Sequence, residues 1–428
     1  MNIVNPPLEV IHTILAREGD WNFERLIGII TTPTLRPDGS ILTTPGYDAA
    51  TGLLLTSPPL MPAIPEKPSR KDAEAAVKLL NDLLIEFPFV DEASRAVALS
   101  ILMTPVARGA MQVVPLHAVS APEARTGKSY LLDTAAAIST GEIAPVIAAG
   151  RDEEETEKRL AAELMTGQPI ISIDNLNGDL SGDFICQAIE RPIVKPRVLG
   201  RSETKRIENT VTVFCNGNNL RFIGDIAPRV ILCSMDANME RPELRDFAGD
   251  PVATVLANRG RYIAAILTII RAYLAAGSPK QCTPLPSFGD WSRLIRSPLL
   301  WLGCRDPVET MEAARAEDPT RVNLRSFVAA WSKLILPDKR MTAGELKNEA
   351  SKEIYGELPA DRATLQAAMN AVASNRHGEI DPKKLGHWLG RHKGRVVDGY
   401  KLLGEKDPHT KQHVWWLADV KTKEKSNG

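Results

Sequence analysis

The residues with the clearest capacity for chemistry lie in one loop, Ser120–Ser129, which reads Ser-Ala-Pro-Glu-Ala-Arg-Thr-Gly-Lys-Ser. An apolar run precedes this loop, and a helix-forming run follows it. A strand, a loop ending in Gly-Lys-Ser and a helix together present backbone N–H groups and a helix N-terminus to phosphate. We therefore predict a phosphate-binding loop for ATP. Lys128 would reach the outer phosphates and Ser129 would bind Mg²⁺, with Thr126 and Gly127 completing the loop.

Two positions in this loop depart from the usual pattern. Pro122 and Arg125 stand where many such loops have glycine. The alternative interpretation is therefore an ordinary strand-to-helix turn that binds nothing.

A second apolar run ends in an acid, Pro-Ile-Ile-Ser-Ile-Asp at residues 169–174. An acid at the end of a strand can hold the Mg²⁺ shell opposite the lysine, so we predict that Asp174 is a metal and catalytic residue. Asn175 follows, where many ATPases have glutamate. Because a neutral amide can orient water but cannot accept its proton, either hydrolysis is slow or a carboxylate comes from elsewhere. Glu154, Glu155 and Asp179 are the open candidates, although acids in the first turn of a helix are also favoured by its dipole.

A third apolar run, Thr210–Cys215, is followed by Asn-Gly-Asn-Asn-Leu. In ring-forming ATPases, a strand between the phosphate-loop strand and the acidic strand ends in a polar sensor. We predict that Asn218 is this sensor, with Asn216 as second choice. A simple Asn-Gly turn is the alternative.

An arginine stands directly before a short apolar run in Gly-Asp-Ile-Ala-Pro-Arg-Val-Ile-Leu at residues 224–232. This is the position of an arginine finger, which stabilises charge on a neighbouring subunit's γ-phosphate, and we predict that role for Arg229. An interface or surface arginine is the alternative. Arg259 and Arg261 begin a later apolar helix, where either a second phosphate sensor or a helix-start salt bridge is compatible with the sequence.

Bulk properties restrict the class of protein. The 428 residues are 43% apolar and 25% charged, with a net charge of −1, which is typical of a globular protein without a global field for nucleic acid. The five cysteines have no metal-ligand spacing, and we find neither a signal peptide nor a membrane-spanning run. We therefore expect a cytoplasmic protein. We divide it into a small β-containing module, a helical collar-like segment, the nucleotide-binding core, a helical region and a terminal module, at 1–68, 69–111, 112–275, 276–345 and 346–420.

The order of these motifs resembles the AAA+ replicative helicases of phages and prophages, that is, the helicase portion of primase–helicase proteins, which are related to superfamily III helicases. The segments that carry the resemblance, mostly within residues 112–275, are the phosphate loop, Ile-Asp-Asn, Leu-Gly-Arg-Ser-Glu, Gly-Asn-Asn-Leu, Gly-Asp-x-x-x-Arg and Glu-Arg-Pro-Glu-x-Arg-x-Phe. The family has two adjacent arginines at the finger, whereas here Pro228 precedes Arg229. The family's Thr-Gly-Asn is here Asn216-Gly217-Asn218, which favours Asn218 as the sensor.

The resemblance predicts a role for the basic segment that lies between the acidic strand and the sensor. Residues 191–206 contain six basic residues around Leu199-Gly200, a pattern that predicts a β-hairpin. In the related helicases a hairpin at this place grips one DNA strand inside the ring. The implied phosphate contacts are Lys195, Arg197, Arg201, Lys205 and Arg206; a solvated charged loop is the alternative.

A second basic cluster lies in the terminal module. Helix-like and strand-like runs there follow the order helix, helix, hairpin, which describes a winged helix. Lys383, Arg391, Lys393 and Arg395 would meet the DNA backbone, or the module would make protein contacts instead. We expect Trp388, Trp415 and Trp416 to be core residues.

The sequence and the resemblance together predict an α/β fold: an AAA+ P-loop core with an N-terminal α+β region and a C-terminal winged-helix domain. The resemblance implies a ring-forming DNA helicase, hexameric as in the family, that acts with ATP and Mg²⁺ in phage or mobile-element replication. No primase motif is recognisable in residues 1–110, so a separate primase is an expected partner. The alternative function is a nucleotide-gated DNA-binding or loading protein that does not separate strands; a small-molecule kinase would explain neither the finger nor the basic hairpin.

Overall fold

The computed structural model describes residues 5–17, 20, 23–150, 152–198, 203–316 and 318–420. The fold consists of two compact units, the first formed by residues 1–220 and 228–311 and the second by residues 221–227 and 312–428. The finer division into five regions stays a prediction.

The N-terminal part of the first unit contains one helix and short strands. These are α1 (Leu8–Ala16), β1 (Gly28–Ile30), β2 (Thr34–Leu35), β3 (Ile41–Leu42), β4 (Gly46–Asp48) and β5 (Leu53–Leu55). Strand β5 pairs parallel with β1 and antiparallel with β4, while β2 and β3 form a separate antiparallel pair. The Thr31 hydroxyl donates to the Thr140 carbonyl at 2.9 Å, which fastens this part to the core.

Two helices, α2 (Arg70–Leu83) and α3 (Glu92–Met103), lead into the core. Ser69 caps α2 in a reciprocal capping box with Asp72, which confirms the predicted N-cap. Asp91 caps α3 by accepting from the Ser94 N–H.

The core is an α/β layer arrangement around a central five-stranded sheet. Its apolar strands are buried, with Val119, Ile173 and Phe214 fully shielded from solvent, as expected for strands covered on both faces. The elements in chain order are β6 (Leu116–Ala121), α4 (Lys128–Thr140), β7 (Val146–Ala148), α5 (Glu153–Thr166), β8 (Ile170–Leu180), α6 (Asp183–Glu190), β9 (Ile193–Val194), β10 (Ile207–Glu208), β11 (Thr212–Phe222) and β12 (Val230–Ser234).

The strand order of this sheet is β12-β6-β11-β8-β7. Strand β6 pairs parallel with both β11 and β12, and β7 pairs parallel with β8. Strand β11 therefore lies between the phosphate-loop strand and the acidic strand. Since ligands of open α/β sheets bind beyond the carboxyl ends of parallel strands, this order selects one edge of the sheet for chemistry.

Strand β11 differs from the sequence prediction. The segment predicted to break into a turn, 216–220, remains in the strand, which continues to Phe222. Its turn signal is overridden because Asn216 and Gly217 pair with Val119 and Ser120 of β6. Strand β8 likewise runs beyond Asp174 to Leu180.

Helices follow the sheet in the first unit. They are α7 (Pro251–Ala257), α8 (Arg259–Ala275), the short α9 (Gly289–Trp291), a π-helical turn (Ser292–Arg296) and α10 (Ser297–Trp301). The next helix, α11 (Glu309–Ala316), begins in the first unit and ends in the second. Throughout the described ranges, no helix combines the length and apolar character needed to cross a lipid bilayer.

The second unit combines helices with a four-stranded antiparallel sheet of order β13-β16-β15-β14. Its core includes Phe327, Trp331, Trp388 and Trp415. Its elements are α12 (Pro319–Leu334), β13 (Met341–Thr342), α13 (Ala343–Ala350), α14 (Ala360–Ala373), α15 (Pro382–His392), β14 (Val396–Val397), β15 (Tyr400–Lys406) and β16 (His413–Asp419).

The close approach of β11 to β8 makes a stability prediction. A Cβ on Gly217 would lie 2.0 Å from the Leu176 carbonyl oxygen, so we expect Gly217→Ala to lower the free energy of unfolding. The expected loss is about 1 to 3 kcal/mol, the usual cost of overpacking. Gly249→Ala is the control, because a Cβ there meets nothing within 4 Å. Denaturant unfolding measures both, and equal stabilities of the two variants would contradict the packing described here.

Candidate nucleotide site and basic surfaces

Two residues of the loop after β6 have left-handed backbone conformations. Gly127, at the N-cap of α4, has a φ of 106°, which favours glycine. Arg125 has a φ of 60°, so the arginine that replaces the usual glycine adopts a left-handed conformation that costs a non-glycine residue about 1 to 2 kcal/mol. The loop therefore keeps its conformation at this position despite the missing glycine.

Lys128 occupies the centre of the site. Its Nζ donates to the Glu123 carbonyl at 2.8 Å and to the Asn218 Oδ1 at 2.7 Å. Burial lowers the pKa of Lys128, while the charges of Asp174 and Glu123 oppose that shift. Thr126, almost fully buried, donates to the same Glu123 carbonyl at 2.7 Å. A triphosphate oxygen would offer the ammonium a stronger, charge-assisted partner than these neutral acceptors.

Ser129 and Asp174 meet beside the lysine. The Ser129 hydroxyl donates to Asp174 Oδ1 at 3.1 Å, and the Asn216 amide donates to the same oxygen at 2.8 Å. A hydroxyl and a carboxylate oxygen fit Mg²⁺, which takes few protein ligands and completes its shell with phosphate and water. The two asparagines thus take different positions, Asn218 at the lysine and Asn216 at the serine–aspartate pair.

Asn175 lies in β8 directly after Asp174. It has a φ of 53°, an exposed side chain, and a backbone N–H that donates to Asn216 Oδ1 at 3.3 Å. Of the candidate carboxylates, Glu154 pairs with Lys158 at 2.8 Å and Glu155 with Arg159 at 3.0 Å along α5. These contacts favour the helix-first-turn interpretation of both acids; Asp179 lies further along β8.

Asp133 of α4 is a half-buried acid near Asp174 that the sequence motifs did not indicate. Burial raises its pKa, and the nearby Asp174 charge raises it further. Its Oδ1 accepts from the Ala144 N–H at 3.2 Å. Asp133 follows Ser129 by four residues on α4. This i, i+4 spacing places both residues on one face of the helix and could have indicated that Asp133 lies near the site.

Arg229 lies at the opposite edge of the sheet from Lys128. It ends the 3₁₀ turn Gly224–Arg229, and the next residue, Val230, pairs with Leu116 at the start of β6. The phosphate loop follows the other end of β6, about 16 Å away along a six-residue strand. Arg229 Nη2 lies 2.7 Å from Glu190 Oε2, with both side chains about four-fifths shielded from solvent (22% and 20% exposed).

Arg259 does not fit either alternative considered from the sequence. Its guanidinium donates to the Ile138 and Ser139 carbonyls at 3.0 and 3.1 Å and to the Thr31 hydroxyl at 3.0 Å. The two carbonyls lie at the C-terminal end of α4, one helix length from the loop before it, and Thr31 lies in the N-terminal part, so Arg259 is a structural contact. Burial lowers its pKa to about 10. Arg261 is exposed.

The predicted basic hairpin is present. Strands β9 and β10 pair antiparallel, and the pairing continues with Val198 N–H donating to the Glu203 carbonyl at 2.9 Å. Four predicted contact residues are exposed along it, namely Lys195, Arg197, Lys205 and Arg206. The fifth, Arg201, lies outside the described residues, as does the predicted Leu199-Gly200 turn.

The predicted basic cluster of the second unit lies on and after α15. Lys383 and Arg391 are exposed on this helix, whose opposite face buries Leu385, Trp388 and Leu389. Lys393 and Arg395 are exposed just beyond it. Trp388 and Trp415 are buried, whereas Trp416 is half-buried beneath the Arg340 guanidinium, 4.6 Å from the ring centre.

Comparisons with known proteins give structural neighbours only. No protein-family model and no curated protein matches the chain. A structure described as the apo A form of the NrS-1 C-terminal region is 12% identical, covers 86% of this chain and 79% of its own, and has a TM-score of 0.41. A second structure of that region is 13% identical, with the same coverage and TM-score.

A further neighbour is described as a candidate ATPase from Cytophaga hutchinsonii. It is 11% identical over 74% of this chain and 86% of its own, with a TM-score of 0.27. All three TM-scores lie below 0.5, so these similarities indicate nothing about the function of this chain.

The contact between Lys128 and Asn218 makes a binding prediction. Asn218→Asp would place a negative charge where a triphosphate must approach, so we expect the Kd for Mg·ATP to rise about tenfold or more. Asn219→Asp is the matched control, since Asn219 is adjacent and exposed, and has a φ of 49° that aspartate tolerates. Calorimetric titration compares the two. Unchanged affinity in Asn218→Asp would contradict a triphosphate site at this lysine.

The exposed hairpin charges make a second binding prediction. If they contact phosphates, Arg197→Gln combined with Lys205→Gln should weaken single-stranded DNA binding. The slope of log K against log salt should then fall by about 1.4, or about 0.7 per lost contact. The control is Lys71→Gln combined with Lys78→Gln, which removes the same charge from exposed positions on α2. Equal salt slopes in the two double variants would exclude the hairpin as the DNA contact.

Proposed function

We propose that the chain is an ATP hydrolase of the AAA+ type that forms a ring, a hexamer by family resemblance, and moves along DNA to separate its strands. The observation that carries this proposal is the division of groups between two edges of one sheet. Lys128, Ser129, Asp174, Asn216 and Asn218 converge at one edge, and Arg229 lies at the other.

The first edge has the groups that binding of a triphosphate needs. Lys128 would hold the outer phosphates, and Ser129 and Asp174 would hold Mg²⁺. The bound metal neutralises phosphate charge and favours attack at the γ-phosphorus. Asn218 would orient the γ-phosphate or the attacking water, and Asn175 would help to position that water without accepting its proton.

The position of Arg229 supports a shared site. A length of β6 separates this residue from the phosphate loop of its own chain, so it can act only on a nucleotide that another copy holds. In a head-to-tail ring each interface would pair the phosphate loop of one subunit with the Arg229 of the next. A guanidinium there stabilises charge that develops in phosphoryl transfer.

The basic hairpin supports DNA as the partner. Lys195, Arg197, Lys205 and Arg206 are exposed and lie on a segment that leads directly into β11, the strand that carries both site asparagines. Contacts of these residues with phosphates would be independent of sequence, as a translocating protein requires. We further propose that the second unit is a winged-helix domain whose DNA surface consists of Lys383, Arg391, Lys393 and Arg395. The protein would act in phage or mobile-element replication beside a separate primase.

A second function is favoured by Asn175. Its neutral side chain stands where a base is usual, and its left-handed backbone and bond to Asn216 hold it there. A nucleotide-gated DNA-binding or loading protein would need no fast hydrolysis. Such a protein would bind a forked duplex when ATP is present but would displace no strand.

Subunit mixing tests the shared site. Lys128→Ala subunits should fail to bind ATP, whereas Arg229→Ala subunits should bind ATP but not hydrolyse it. Mixed in equal amounts, they should recover roughly a quarter of the wild-type rate, because that share of interfaces combines an intact loop with an intact arginine. The DNA-stimulated rate of phosphate release measures this recovery. A mixture as inactive as its components, or normal turnover by Arg229→Ala alone, would refute the proposal.

A further inference from the structure

The ion pair of Arg229 with Glu190 joins two parts of the molecule that the proposed function uses separately. Glu190 is the last residue of α6, and β9 of the basic hairpin begins three residues later. The arginine at the far edge of the sheet is thus held, at 2.7 Å, by the residue from which the hairpin emerges.

Asn209 fixes the base of this hairpin to the end of α6. Its side-chain amide donates to the Arg191 carbonyl at 2.9 Å and also to the Ala188 carbonyl. Its backbone N–H donates to the Pro192 carbonyl at 2.8 Å. Because Asn209 is buried (5% exposed), the end of α6 and both hairpin strands share one rigid junction.

The same junction leads to the nucleotide site. Strand β11 begins at Thr212, three residues after Asn209, and carries Asn216 and Asn218 to the phosphate-loop edge. Glu190 therefore connects Arg229 to the hairpin. Strand β11 connects the hairpin to the nucleotide site.

The Glu190 carboxylate and a γ-phosphate are acceptors of the same kind for a guanidinium. Leaving a largely shielded carboxylate without a partner is costly, but Glu190 has partners besides Arg229. Burial tends to raise its pKa, yet the hydrogen bonds from Arg229 and Ser287 and the charges of Arg229 and Arg191 outweigh burial and keep the pKa low. When Arg229 turns away, Ser287 and Arg191 are the groups that remain to hold the carboxylate.

We propose that Glu190 couples the hairpin to the trans-acting arginine: it holds Arg229 until a neighbour's triphosphate takes the guanidinium over, and that exchange releases the hairpin base to move. Glu190 is a positioning residue in this scheme, and the inference rests on the proposed function. Loss of its charge should leave hydrolysis possible but no longer dependent on the state of the hairpin.

The test uses Glu190→Gln, which keeps the size of the side chain and removes its charge. The ratio of ATPase rates with and without single-stranded DNA should fall about fivefold or more, the lower range of ordinary coupling strengths. The rate without DNA should not fall. Amide hydrogen exchange in residues 193–198 and 203–208 should become faster. Glu190→Asp retains the carboxylate and should preserve part of the DNA stimulation.

Glu349→Gln is the matched control. Its carboxylate pairs with Arg362 at the same 2.7 Å and is similarly shielded, since the Glu349 side chain is 27% exposed and that of Arg362 is 13% exposed. Glu349 lies in the second unit. This variant should change neither the rate ratio nor the exchange of the hairpin.

Two results would overturn the coupling. One is a Glu190→Gln variant whose rates with and without DNA fall by the same factor, which indicates a catalytic or merely structural role. The other is unchanged hydrogen exchange in the hairpin. If the wild-type chain shows no ATPase activity at all, the proposed function fails, whereas the exchange measurement still decides whether Glu190 restrains the hairpin.

Discussion

The placement of β11 between β6 and β8 is the constraint on which the site depends. Lys128 follows β6 and Asp174 lies in β8, so β11 is the strand next to both of theirs. Insertion of β11 brings Asn218 to within 2.7 Å of the lysine and Asn216 to within 2.8 Å of the aspartate. Two asparagines of one strand thus join groups that are 46 residues apart in sequence.

Strand β11 also connects the base of the hairpin to the candidate nucleotide site. The middle of β11, at Asn216 and Asn218, carries the contacts to Asp174 and Lys128, and its amino-terminal end adjoins Asn209 and the hairpin. Strands are stiff, and both flanking strands hold β11 in register, so a change at one end has a physical route to the other. That route requires a two-state element at each end; the Lys128 contacts and the Glu190–Arg229 pair are the candidates.

Features that depend on neighbouring residues were predictable from the sequence. The phosphate loop, the basic hairpin and the Ser69 cap each need a short segment with fixed residue types, and the structure has the hairpin and the cap where they were predicted. Asn216-Gly217 was misinterpreted as a break because its turn propensity is local, whereas the pairing that overrides it is tertiary. The roles of these site residues remain predictions.

Other features could not be read from local sequence because their partners are remote. Arg259 contacts the end of α4 through residues 120 and 121 positions away. The pairing of Glu190 with Arg229 depends on how α6 and the turn before β12 pack, which no spacing rule encodes. Asp133 could have been predicted, because it follows Ser129 by about one helical turn. It was not, because an acid on a helix is ordinarily a surface residue.

The most direct test is the structure of the chain bound to Mg²⁺ and a non-hydrolysable ATP analogue. We predict that Lys128 Nζ exchanges the Glu123 carbonyl for a γ-phosphate oxygen, at about 2.7 to 3.2 Å, with Asn218 beside the same phosphate. An analogue bound elsewhere, with the lysine still on Glu123 and Asn218, would contradict the account.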